Sequence, residues 1–170
     1  MDPFNNPAPK FTRPTLLTIL CYLTLFSSSL SIMQAFTTMG NPEQESIAFR
    51  KKFQEMQVQF EDAFKRDPKT ADQVIAMFEQ VDEANTSSNL RDNSIFSLIS
   101  NLLTLIGAML MLRLKRTGFK FYVLGTLIGI VSPMVVFGGA NLLGLSFAIY
   151  LTIIGAIFIP MYAFKLKHME

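Results

Sequence analysis

Two amide side chains, Gln34 and Asn101, are the strongest polar groups deep within the long stretches of this chain that carry no charge. Around them run rows of small and weakly polar residues: Thr24, Ser28, Ser31 and Thr38 on one stretch, Ser97, Thr104 and Ala108 on another. In hydrocarbon the chemistry open to such groups is hydrogen bonding, at roughly 0.6 kcal/mol a contact and rarely above about 2 kcal/mol. Pumps and proton-coupled transporters need ionisable residues at depth, because a charge is retained there only for a purpose. The uncharged stretches hold no Asp, Glu, Lys or Arg, which argues against that class. Metal sites want clustered His, Cys or carboxylates. The sequence has one histidine, His168 near its end, and one cysteine, Cys21, with no such cluster about them. Neither a glycine-rich phosphate loop nor a nucleophile beside a base is present. The expectation is a non-enzymatic protein with no catalytic residue, no metal ligand and no cofactor.

The elements that hold these residues follow from the spacing of charge. Half of the 170 residues are apolar and only 16% are charged, against roughly 25% in ordinary soluble domains. Residues 14–42, 93–112 and 121–164 are each free of Asp, Glu, Lys and Arg. A hydrocarbon core of about 30 Å takes about 20 helical residues. The first two stretches therefore fit one crossing each. The third, as one helix, would run about 66 Å, so it must fold back, and Gly138-Gly139 is the permissive place. The predicted fold is an all-α integral membrane protein, a four-transmembrane-helix bundle. Its crossings are expected at 15–39, 93–112, 121–137 and 141–164, with a tight turn at 138–140. The first is read as an uncleaved anchor, since its uncharged run to Met39 outlasts a signal-peptide core.

Basic residues orient the bundle. The tail 1–14 carries Lys10 and Arg13, the loop 113–120 carries Arg113, Lys115, Arg116 and Lys120, and the tail 165–170 carries Lys165 and Lys167. All three fall on one side of a four-crossing chain, so they are expected in the cytoplasm. The last six of these are also candidates for contact with lipid headgroups. A net charge of +2 is too small to imply a nucleic-acid partner.

Residues 40–92, with seven basic and eleven acidic side chains, would face outward. They read as a helical hairpin. Asn41-Pro42-Glu43-Gln44 supplies a cap and a proline suited to a first helical position. Phe49, Phe53, Met56, Phe60 and Phe64 then recur at helical spacing. Asp67-Pro68 breaks the arm, Val74, Met77, Phe78 and Val81 form the return stripe, and Asn85–Asn89 is expected to be a polar turn. Asn85-Thr86-Ser87 also has the form of an N-glycosylation acceptor. Claudins, tetraspanins and connexins are similar in layout, but they depend on outer-loop cysteines that this sequence lacks. A large loop without disulfides points to a bacterial inner membrane.

Small residues let helices approach closely, so Gly125, Gly129, Gly144 and Ala148 are expected in helix packing, with Asn101 bonding across an interface. The functional expectation is an accessory or structural subunit of a membrane complex. Its partners would be membrane lipids and another membrane or extracytoplasmic protein, met through Phe49, Phe53, Met56, Phe60 and Phe64. The alternative is a small oligomeric channel or carrier lined by the Ser/Thr/Asn rows.

Overall fold

The computed structural model describes residues 15–63, 68–139 and 141–164. Among them are six helices: α1 (Thr15–Gly40), α2 (Pro42–Ala63), α3 (Pro68–Ala84), α4 (Ser87–Leu112), α5 (Thr117–Val136) and α6 (Leu142–Ala163). Helices α1, α4, α5 and α6 are each long and apolar enough to cross a membrane, while α2 and α3 pair as a hairpin between the first two. Only 22–28% of the most apolar stretch of each spanning helix is buried within the bundle. Side chains such as Phe26, Met33 and Val135, about two-thirds exposed, cover the remainder. A belt of that kind is untenable in water and suited to lipid. The protein is an all-α membrane bundle.

Local chemistry sets the helix ends. Pro42 and Pro68 open α2 and α3, where a missing N–H costs nothing. Glu43 and Glu45 in the first turn of α2 complement its dipole. Helix α4 begins at Ser87, six residues ahead of Asn93, because Thr86 caps it by accepting from the Asn89 amide at 3.2 Å. The expected polar turn at 85–89 is thus largely the first turn of a helix. Helix α5 likewise begins at Thr117, inside the stretch read as a basic loop, leaving residues 113–116 as the connection. That connection closes α4 with a Schellman pair, the Lys115 amide donating to the Leu110 carbonyl at 3.0 Å and the Leu114 amide to Met111 at 2.9 Å. Leu114 takes the left-handed position that such a cap demands, at φ 59°. Gly138, at φ 87°, does so between α5 and α6. Pro133 inside α5 denies the Gly129 carbonyl its amide, and the Ser132 hydroxyl donates to that oxygen instead, at 3.3 Å.

The tightest packing joins α4 to α5, where backbones touch. A Cβ built on Gly107 would lie 2.7 Å from the Gly118 carbonyl oxygen, and one on Gly125 would lie 2.7 Å from that of Ser100. Helix α1 lies on the other side of α4, and α6 packs on α5. Two hydrogen bonds lock the middle of the bundle: Ser28 and Thr104 hydroxyls at 3.0 Å, and the Ser100 hydroxyl donating to the Gly125 carbonyl at 2.8 Å.

Candidate functional site

Helices α1 and α6 close the bundle at one end only. Near the 113–116 connection, Leu17, Leu20 and Cys21 of α1 pack with Met111, Tyr122 and Tyr162 in a buried cluster. There the Tyr162 and Thr24 hydroxyls meet at 2.8 Å, and the Tyr122 and Tyr162 rings lie 4.8 Å apart. Toward the hairpin the two helices part. The space between them is a cavity of about 430 Å³, within the range of small-ligand sites.

Its walls differ. Helix α1 contributes Ser31, Gln34 and Thr38, and α4 contributes Asn93, Ser97 and Asn101. Helix α6 contributes Leu143, Phe147, Tyr150 and Leu151, an apolar wall with one phenol. The first turns of α2 bring Glu45 and Phe49, and Asn85 enters from the α3–α4 junction. No Lys or Arg lines the cavity, and Glu45 is its one charged side chain among the described residues. The site is therefore amphiphilic and almost neutral, with amides and hydroxyls on one side and hydrocarbon on the other.

The hairpin is fastened over this space. The Ser46 hydroxyl donates to the Asn85 carbonyl at 2.9 Å, and the Asn85 side-chain amide donates back to the Ser46 carbonyl at 3.2 Å. Asn141, at the start of α6, donates to the Gln80 carbonyl at 2.8 Å. Arg50 pairs with Asp82 at 3.1 Å on the exposed side. Beneath these, Val81, Ala84, Phe137 and Leu143 form a second buried cluster against which Phe49 and Phe53 pack. Asn85 is fully buried, and its side-chain oxygen has no hydrogen-bond partner among the described residues. A buried acceptor left in that state costs about 1–3 kcal/mol. Its side-chain nitrogen is bonded to the Ser46 carbonyl in a buried position with no room for a glycan, which speaks against the acceptor reading of Asn85-Thr86-Ser87.

The residues singled out from the sequence are dispersed. Phe49 and Phe53 are occupied inside the protein, Phe53 against Phe78 at 4.6 Å between ring centres. Met56 and Phe60 stand 41% and 43% exposed farther along the same stripe. Phe64, Lys165 and Lys167 lie outside the described side chains. Gly125 and Gly129 face Ser100 on α4, and Gly144 faces Pro133 on α5. Ala148 is buried. Asn101 does not bridge two helices as expected: its amide donates to the Ser97 carbonyl and hydroxyl one turn back in α4, at 2.8 and 3.1 Å. Arg113, Lys115, Arg116 and Lys120 are exposed together at the end remote from the hairpin. The sequence reading missed Gly107 and Gly118, and it missed Asn85 as a buried latch. Only the first had a signal, a glycine in the small-residue row of α4.

Comparison with family models, with curated proteins and with solved structures finds no match to this chain.

Proposed function

We propose that this chain is a non-enzymatic membrane protein, an accessory subunit that receives a ligand through the opening between α1 and α6 beneath its hairpin. The observation that carries the reading is the shape of the cavity. It is polar along α1 and α4, lies beneath the hairpin, and is stopped at the other end by the cluster around Tyr162. A passage through one chain would require that cluster to part, so a single copy is a receptacle rather than a pore. The channel alternative is weakened further because the Ser28, Thr104 and Ser100 hydroxyls are spent on helix packing. In the same reading both termini and Arg113–Lys120 face the cytoplasm of a bacterial cell and the hairpin projects outward. The exposed end of its stripe, Met56 and the outer edge of Phe60, whose ring also lies 5.9 Å from that of Phe78, meets another membrane or extracytoplasmic protein. Lipid covers the rest, and nucleic acid has no part.

Thiol accessibility tests this. Cys21 is fully buried and can stay in place, so a Gln34→Cys variant carries one reactive thiol in the cavity. In sealed vesicles of each orientation, an impermeant thiol reagent should modify it from the hairpin side alone. Modification from both sides, or ion conductance by the purified protein, would turn the case toward a channel. No modification from either side would mean that the cavity is sealed and receives nothing.

A further inference from the structure

We infer that the cavity binds an uncharged, hydroxyl-bearing lipid of the diacylglycerol kind, head toward the hairpin and chains leaving between α1 and α6. This deepens the receptacle reading and rests on it. Three observations converge. First, the walls are amphiphilic in the sense a lipid requires. Ser31, Gln34, Ser97 and Asn101 offer donors and acceptors on one side, while Phe147 and Leu151 offer hydrocarbon on the other. The opening between α1 and α6 lies within the spanning helices, so a ligand with tails can keep them in the bilayer.

Second, charge excludes the common anionic lipids. Phosphate sites are built from Arg, Lys or a fan of backbone amides at a helix start. Among the described residues the lining has neither cation, and its one charge is the Glu45 carboxylate, which repels an anion. Third, Asn85 lines the cavity with a fully buried acceptor that lacks a partner among the described residues. Buried polar atoms are seldom left so. The group it lacks is a donor, and a lipid hydroxyl is a neutral donor. The ester carbonyls of the same ligand would accept from the Gln34 amide, since the Asn101 amide is already spent on Ser97.

The test uses the full chain in phosphatidylcholine vesicles with a photoactivatable diacylglycerol. Crosslinks should map to the facing segments of α1 and α4 around Gln34 and Ser97. Unlabelled dioleoylglycerol should compete about tenfold or more better than dioleoylphosphatidic acid, the margin expected when a like charge opposes the latter. Ser97→Phe should block labelling by filling the space. Should that variant fail to fold, Gln34→Leu on the more open α1 wall should still weaken labelling. Glu45→Gln should narrow the margin between dioleoylglycerol and dioleoylphosphatidic acid as competitors, an outcome that a merely structural role for Glu45 would not produce. Crosslinks spread evenly over the outer faces of the helices would overturn the inference, as would equal competition by the two lipids. So would a cavity that admits the thiol reagent at Gln34→Cys yet yields no lipid adduct; that result would leave the receptacle standing and remove the lipid.

Discussion

The pairing of Ser46 with Asn85 should hold the hairpin over the cavity, and its two halves should respond in opposite ways. Ser46→Ala removes the hydroxyl that donates to the Asn85 carbonyl at 2.9 Å. Both residues are buried, so the carbonyl is left without that donor in a site closed to water. The cost of such a loss is about 1–3 kcal/mol, which corresponds to a five- to 150-fold rise in local opening at about 1.4 kcal/mol per decade. Asn85→Leu keeps much of the shape and removes two things. One is the donation to the Ser46 carbonyl, worth about 1 kcal/mol; the other is the unpaired oxygen, a liability of about 1–3 kcal/mol. Those terms offset, so the ligand-free variant should lie between neutral and about 2 kcal/mol more stable in this region. Hydrogen exchange reads both: hairpin amides such as that of Asn85, bonded to the Val81 carbonyl at 3.1 Å, should exchange faster in Ser46→Ala and no faster in Asn85→Leu. Amides across the α4–α5 contact should be unmoved in either. If Ser46→Ala leaves the hairpin amides unchanged, the latch does not hold the hairpin. If Asn85→Leu costs as much as Ser46→Ala, the oxygen is paired after all, and the reasoning fails at its central premise.

Gly118→Ala would place a Cβ 2.6 Å from the Gly107 carbonyl oxygen, roughly 0.9 Å inside an ordinary contact. Because backbone cannot yield, it should lower resistance to unfolding in a detergent titration by about 1–3 kcal/mol, whereas Gly40→Ala, with nothing within 4 Å, should not. Leu114→Gly should be more stable than Leu114→Ala by about 1 kcal/mol in the same titration, since only glycine takes φ 59° without penalty; the reverse order would contradict the Schellman assignment. Ser88→Cys should react with an impermeant maleimide on intact cells and Thr117→Cys should not, and the opposite pattern would invert the proposed orientation. Met56→Ser should leave hairpin protease resistance near that of the parent and abolish recovery of a co-purifying protein, whereas Phe53→Ala, wedged against Phe78, should weaken the hairpin itself by up to about 3 kcal/mol.

Much of the architecture was legible before any coordinate. Cost in hydrocarbon is a property of each residue, so a run without charge announces a crossing wherever it occurs. That is why four spanning helices, the reversal at Gly138-Gly139 and the start of a helix at Pro68 could all be read from residue types in order. Helix ends were less legible, for a related reason. Charge marks where hydrocarbon stops, but a helix backbone satisfies its own hydrogen bonds and continues into water, as α4 does from Asn93 back to Ser87. The apolar stripe of α2 was visible at its spacing, yet nothing in that spacing distinguishes Phe49 and Phe53, which pack half-buried on the second cluster, from Met56 and Phe60, which are more exposed.

The cavity belongs wholly to the tertiary structure. Ser31, Gln34, Ser97 and Asn101 were conspicuous as polar residues in apolar helices, and the same composition is compatible with a closed bundle in which each bonds to a neighbour. What leaves them facing open space is the approach of α4 to α5 over Gly107, Gly118 and Gly125, together with the meeting of α1 and α6 only near Tyr162. Those are relations between helices 10 to 140 residues apart along the chain, fixed by how side chains of unlike size pack in three dimensions rather than by any local preference. Asn85 makes the same point at a single residue. Its type and neighbours fit an exposed turn, and it is fully buried because α2 returns across it and places Ser46 within hydrogen-bonding distance.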